Sequence, residues 1–452
     1  MTADIRQFFQ NTNPSKTLVA GDPEDQKLYI DFSSVRGGTI IQELRDNISF
    51  FSPDEPTCVL FTGHIGCGKS TELLRLKAEL EQDGFHVVYF ESSEDLEMAD
   101  VDIGDVLLAI AKRISESLEA ANVTPAATGF RALLDTTLKV LQTEVGVKGS
   151  VNVFGNKLGM DTDKREVSLS AGIAELTVVA KNDQDLRDRL NQFLGPQKTK
   201  LLDAINQELI LPAIVQLKQQ GKKGLVAIVD NLDRIDTQTK TFGRPQQEYL
   251  FIDQSECLTK LQCHVVYTMP LALKFSNEYG MLQQRYETMK VLPMVPVQFQ
   301  DGRVCDEGMA LLRQMVLARA FPNLDPETRL ARIGEIFAAT ESLDRLCQMS
   351  GGHVRDLLRM LHDWIRKGRE LPLKAEVLEE VLRSRRNDMV LSLTDDEWEL
   401  LRQVRQRKKV AGEQNYQTLI RSRLVFEYHD RGEIWFDINP TLLESRELQG
   451  LA

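Results

Sequence analysis

No run of about 18 apolar residues occurs in the 452-residue chain, so no membrane-spanning helix is expected. Cysteine is scarce. The six residues (58, 67, 257, 263, 305 and 347) form no C-x-x-C pair and no disulfide framework, which suits reduced thiols of a cytosolic protein. Positive charge is also short: 55 Lys and Arg stand against 67 Asp and Glu, a net charge of −12. That balance argues against a protein that coats nucleic acid nonspecifically, though a local basic face is compatible with it. The opening Met-Thr-Ala-Asp-Ile-Arg-Gln-Phe-Phe has no long apolar region and does not read as a signal peptide. Internal repeats and low-complexity tracts are absent too. What remains, 42% hydrophobic and 27% charged residues, is ordinary soluble composition with length enough for two or three domains.

Against this plain background one segment stands out. Gly63-His64-Ile65-Gly66-Cys67-Gly68-Lys69-Ser70 matches the phosphate-binding pattern G-x-x-x-x-G-K-[ST]. The apolar Cys58-Val59-Leu60-Phe61 before it reads as a buried strand, and Thr71–Leu80 after it as a helix. Gly63, Gly66 and Gly68 allow the sharp turn that aims N–H groups at phosphate oxygens, and the helix adds its positive dipole end. Lys69 is placed to reach the β- and γ-phosphates, and the Ser70 hydroxyl to ligate Mg²⁺. Thr71 continues the loop into the helix. Cys67 reads as a small residue in a tight turn. His64 is within reach of phosphate, although its variable position favours a solvent-facing side chain.

Around the loop, strands are expected at Phe85–Phe90, Leu225–Val229 and His264–Thr268, with Val291–Val297 as an edge strand that tolerates proline. Alternation with helices implies an α/β protein with a parallel sheet. The expected organisation is an N-terminal arm (1–35), a P-loop NTPase domain (36–300), a helical lid (301–390) and a winged helix (391–452). A helix from Arg36-Gly37-Gly38 to about Phe50 precedes the first strand. Residues 146–180 read as a β-hairpin or meander inserted in the nucleotide domain, from alternation in Val151–Phe154 and Val167–Ile173. In the lid, helices are expected at Met309–Phe321, Glu327–Ala339, Leu343–Arg366 and Ala375–Arg385. The C-terminal pattern is two helices (Thr394–Arg407, Tyr416–Arg423), then strands Leu424–Tyr428 and Glu433–Asp437.

A phosphate loop needs a metal-holding carboxylate on a nearby strand, and Val226-Ala227-Ile228-Val229-Asp230 delivers Asp230 at a strand end. The next position is Asn231, which can orient water but cannot take a proton. Asp233, three residues on, is therefore assigned as the water-activating group; a helix cap or a pair with Arg234 is the structural alternative.

Asp-x-Leu-Asp after a buried strand resembles the STAND-type ATPases, including the NACHT and KAP groups, within the wider AAA+ and origin-recognition-like assembly. The resemblance implies ATP and Mg²⁺ as ligands and further roles by position. Thr268 would sense the γ-phosphate, Arg355 in Ser350-Gly351-Gly352-His353-Val354-Arg355 would reach the nucleotide from the lid, and Arg36 would line the adenine pocket. It also implies a homo-oligomer, completed by an arginine from a neighbour; Arg234, Arg244 and Arg285 are the candidates. The sequence departs from the family in three ways. No glutamate follows Asp230, which implies slow hydrolysis. The long insertion lacks membrane helices. No repeat array or effector is fused, which implies a separate partner protein.

The implied function is a nucleotide switch, with bacterial signalling or defence as its setting. An alternative is a DNA-linked ATPase of the origin-recognition or transposition type that grips duplex DNA through the winged helix. There Arg402, Arg405, Arg407, Lys408, Lys409, Arg421 and Arg423 are basic, and Gln414, Asn415, Gln417 and Thr418 suit base edges. Asp395, Asp396, Glu397 and Glu399 offset them, which favours an intramolecular contact. A scaffold that binds ATP without turnover is a third reading. The acidic stretch from Glu91 to Asp105 reads as a solvated, helix-capping segment, with a second cation or a basic partner as the alternative.

Overall fold

The computed structural model describes residues 4–144, 168–286, 288–411 and 414–449. Its centre is a five-stranded parallel sheet in the order β2-β3-β4-β1-β5. The strands are β1 (Cys58–Gly63), β2 (His86–Glu91), β3 (Leu225–Asp230), β4 (His264–Met269) and β5 (Thr288–Leu292). β3 and β4 are buried along their whole length, as continuous apolar runs covered on both faces should be. The edge strand lies slightly earlier than Val291–Val297: it ends at Leu292, just before Pro293, whose ring would break the ladder. The helix before β1 begins at Ile40 rather than at the glycines, and closes in a π-turn over Asn47–Phe51.

The expected β insertion needs correction. Residues Leu169–Asn182 form a helix, packed on the helix Ile103–Ala120. Leu169, Ile173 and Leu176 recur at i, i+4 and i+7 and are buried in the main core. That helical stripe outweighs the short alternation of Val167–Ile173. Val151–Phe154 lies outside the described residues.

After β5 the chain forms helices Asp306–Ala320, Pro326–Ala331, Glu341–Ser350, Val354–Gly368 and Ala375–Val390. The single helix expected over Leu343–Arg366 is two, split at Gly351 and Gly352, whose φ angles are 57° and 75°. Only glycine fits the second position: a Cβ there would stand 1.7 Å from the Val295 carbonyl oxygen. The N-terminal segment is bound to this helical region. Phe8 is buried in its core, and Arg319 Nη1 donates to the Leu28 carbonyl at 2.9 Å.

The C-terminal part has helices Asp395–Arg407 and Gln414–Arg421, then antiparallel β6 (Val425–Asp430) and β7 (Glu433–Ile438). Their two-residue turn, Arg431-Gly432, has positive φ at both positions (47° and 88°), the geometry that matches the twist of a hairpin. This hairpin does not stand free: Phe426, Tyr428 and Trp435 share a core with β1 and the helix Lys69–Gln82.

Gly352→Ala is expected to destabilise the protein by about 2–4 kcal/mol, through a backbone clash that no side-chain rotation relieves. Urea unfolding of the variant beside the wild type checks this; an unchanged midpoint would contradict the close approach to Val295.

Candidate functional site

The site is built at the C-terminal ends of the strands, where an open α/β sheet binds its ligands. The phosphate loop leaves β1 at Gly63 and enters the helix Lys69–Gln82, with Gly68 as its left-handed N-cap. Gly66 sits where a Cβ would come within 2.8 Å of the His353 ring. Cys67 is fully buried against the Leu292 carbonyl, the small packing residue expected.

Lys69 is 6% exposed and its amine makes three contacts: Gly63 O at 2.7 Å, His64 O at 3.0 Å and Asp233 Oδ2 at 2.9 Å. Burial works against its charge, yet the adjoining Asp233 carboxylate holds its pKa above the ordinary lysine value. Asp233 is thus brought to the loop as the partner of Lys69, not of Arg234.

Asp230 ends β3 and accepts from the Tyr89 hydroxyl at 2.8 Å and from the Asn231 N–H at 2.7 Å. Asn231 is left-handed (φ 65°), and its side-chain amide donates to Glu91 Oε2 at 2.6 Å. Glu91 closes β2 in register with Asp230. Sequence reasoning passed over Glu91 as the start of an acidic run; its signal was the strand end it occupies, level with the metal-holding aspartate.

One narrow cleft joins most of the expected residues: Lys69, Ser70, Thr71, Asp230, Asp233 and Arg355 border it with Gly66 and Gly68. Arg355 comes from the first turn of Val354–Gly368, and its backbone N–H donates to Gly66 O at 3.1 Å. Beside it, His353 lies 2.8 Å from Ile65 O through Nε2. Burial lowers the Arg355 pKa, and so does the like charge of neighbouring Arg234. Two guanidiniums held near one phosphate loop favour an anionic occupant. Pro14, Lys16 and Thr17 of the N-terminal segment also border the cleft, a contribution invisible in the sequence pattern.

Other residues fall elsewhere. Thr268 is fully buried, its hydroxyl 3.4 Å from the Val229 carbonyl, and it does not border the cleft. Arg36 is 3% exposed and donates to the Cys67 carbonyl at 2.8 Å from behind the loop, with its Nε unpartnered. His64 is neither solvent-facing nor turned to the cleft. Its ring is buried against Phe426, and Nε2 accepts from the Glu427 N–H at 3.0 Å. The apolar hairpin face captures the imidazole, a long-range contact that no local pattern encodes. Of the candidate arginine fingers, Arg234 borders its own chain's cleft. Arg244 is bound by Glu248, Asp253 and Glu278, and Arg285 by the Ile252 carbonyl and Ser255.

The donor set suits a hard cation: a hydroxyl and a carboxylate, those of Ser70 and Asp230, both border the cleft. No group of three or more His, Cys, Asp or Glu that could hold a metal occurs among the described residues.

Sheet order, phosphate loop and Asp230 together define the fold of a P-loop NTPase domain. Residues 39–241 match the model of the KAP family P-loop domain. Three solved structures are similar over nearly the whole chain. The Walker-type ATPase PABY2304 of Pyrococcus abyssi is 12% identical, with 97% of this chain and 99% of that one covered and a TM-score of 0.41. For Cdc6p of Pyrobaculum aerophilum the values are 11%, 100%, 98% and 0.38. For the ORC2 protein of Aeropyrum pernix they are 10%, 99%, 97% and 0.42. No curated protein matches the sequence.

Burial, the leading cause, lowers the pKa of His64 to about 3 and of His353 to about 4, so both are neutral in the fold. Their contribution to stability is complete above the unfolded value of about 6.5 and is lost as pH falls toward the folded values. Each should cost about 1.4 kcal/mol per pH unit below that point. Urea unfolding between about pH 7.5 and about pH 4.5 measures it, and His64→Gln should flatten the slope by one proton's worth. An identical slope in the variant would contradict the neutral, buried imidazole.

Proposed function

We propose that this protein is a slow, Mg²⁺-dependent ATPase that works as a nucleotide switch. The carrying observation is that one short turn, His353–Arg355, touches the phosphate loop through a ring, a backbone N–H and a guanidinium-bearing residue at once. A change in what the loop holds is therefore felt directly by the helical region. The same loop meets the C-terminal hairpin through His64.

In this reading Lys69, Ser70, Asp230 and Arg355 hold ATP, with Thr71 and the loop N–H groups around the phosphates. Ser70 and Asp230 would hold Mg²⁺, which when bound neutralises charge on the phosphate oxygens. Thr268, buried beside the strand end, would act through the sheet, and Arg36 by fixing the back of the loop. The cleft is about 60 Å³, smaller than a nucleoside triphosphate needs. In this reading the Pro14–Thr17 segment or the Arg355 turn moves as nucleotide enters, and that motion is the switch. Water activation is assigned to a carboxylate at the strand ends. Asp233 is engaged by Lys69, whereas Glu91 is held by Asn231, an amide that orients without accepting a proton. Two candidates follow, and a measurement separates them.

The switch would control self-assembly or the binding of a separate effector in the cytoplasm, with bacterial signalling or defence as the setting. No helix among the described residues is long and apolar enough to cross a membrane. One observation weighs against the DNA-linked alternative. Gln417 and Arg421, on the helix expected to meet bases, turn onto the nucleotide core, bonding the Phe275 carbonyl and Thr237.

Steady-state ATP turnover of the purified chain, with and without duplex DNA, tests the reading. Slow turnover indifferent to DNA is expected, whereas a several-fold rise would support the DNA-linked enzyme. Lys69→Ala should abolish nucleotide binding; normal binding by this variant would refute the loop assignment. Glu91→Gln and Asp233→Asn should both retain ATP, and the variant that loses about 100-fold or more in turnover identifies the water-activating carboxylate.

A further inference from the structure

A cavity of about 480 Å³, distinct from the nucleotide cleft, lies where the helices Val354–Gly368 and Ala375–Val390 meet the C-terminal part. Its size is within the range of small-molecule sites. Its charge is opposite to that of the whole chain. Arg359, Arg366, Lys367, Arg385 and Arg423 line it against three carboxylates, those of Asp356, Asp363 and Asp388, in a protein of net charge −12.

The distribution of that charge matters more than the sum. Arg359, Arg385 and Arg423 converge from three separate elements on one carboxylate, Asp356, which is 2% exposed. Arg385 is close, at 2.6 Å, while Arg359 and Arg423 stand at 3.5 and 3.4 Å, the outer limit of a hydrogen bond. Each guanidinium carries five N–H donors, and one carboxylate offers about four acceptor sites. Most of these donors therefore have no anionic partner among the described residues. Arginine held in this way is suited to forked, charge-assisted recognition of phosphate.

We propose that this cavity is a second ligand site, which takes a small phosphate-bearing molecule between Arg359, Arg385 and Arg423. The ligand bridges the helical region and the C-terminal part, which meet there. Asp356 follows Arg355 directly on the chain, and its N–H bonds His353 Nδ1 at 3.0 Å. An anion that draws the arginines from Asp356 thus acts next to the turn that seats on the phosphate loop. The site itself does not depend on whether the loop hydrolyses ATP.

Inorganic pyrophosphate is the probe, titrated calorimetrically into the full chain and into Arg359→Ala/Arg423→Ala. The wild type should bind one more pyrophosphate per chain than the double variant, or bind the extra one at least about tenfold tighter. The difference between the two proteins is the readout, so binding at the phosphate loop cancels. Equal stoichiometry and affinity would overturn the proposal. Should the double variant fail to fold, Lys367→Glu serves. Lys367 is exposed and outside the Asp356 cluster, and its reversal should weaken the cavity site several-fold; unchanged affinity again overturns it. A short DNA duplex is the final arm. Displacement of the cavity pyrophosphate by the duplex, lost in the same variants, would assign these arginines to a nucleic-acid surface and refute the small-ligand site.

Discussion

The seating of the Gly351–Arg355 turn on the phosphate loop organises the molecule. Gly352 has to lie against the Val295 carbonyl for the turn to form, and the turn then puts His353 on Ile65 and Arg355 on Gly66. The hairpin completes the arrangement from the other side, with Tyr428 donating to the Gly351 carbonyl at 2.8 Å and Phe426 stacked on the His353 ring. Helical region, hairpin and nucleotide core are thereby fastened at one place, and it is the place where phosphate chemistry is expected. A switch needs an element that two sites bias in common, and under the function proposed above this contact would be that element.

Within the cleft the charges are arranged in opposition. Lys69 and Asp233 are both largely buried and satisfy each other, while Arg234 and Arg355 face the same space with like charge. The first pair keeps a lone ammonium from being stranded in a dry site. The second leaves positive potential directed into the cleft. An incoming polyphosphate would meet that potential and compete with Asp233 for Lys69. Nucleotide affinity and the fate of the Asp233 carboxylate are thus linked by simple electrostatics.

Much of this was legible in the sequence because it is local. The loop and the strand that delivers Asp230 are written in short patterns whose chemistry permits few alternatives, and the two strands of the hairpin were legible as well, although β6 runs on to Asp430 and leaves only Arg431-Gly432 as the turn. The insertion was misread where a few alternating residues masked a helical stripe carried by Leu169, Ile173 and Leu176. The remaining differences are tertiary. His64 looked like a solvent-facing loop residue because its partner is 363 positions away. Glu91 was hidden in an acidic run, since only the pairing of β2 with β3 sets it level with Asp230. The arm residues Pro14–Thr17 carry no motif at all, and only packing brings them to the cleft.

The long separations have a consequence for how the protein comes into being. The loop at residues 63–70 is synthesised early, yet its contacts with His353 and Glu427 close over 288 and 363 residues of chain. Non-local contacts of this reach form late, after the loop entropy has been overcome. During translation the nucleotide core would therefore spend most of its time with His64 and the neighbouring apolar surface uncovered, open to chaperones or to misassembly. The nascent chain would acquire the packing around its phosphate loop only after the hairpin Val425–Ile438 had left the ribosome, so the loop's surroundings are completed long after the loop itself is made.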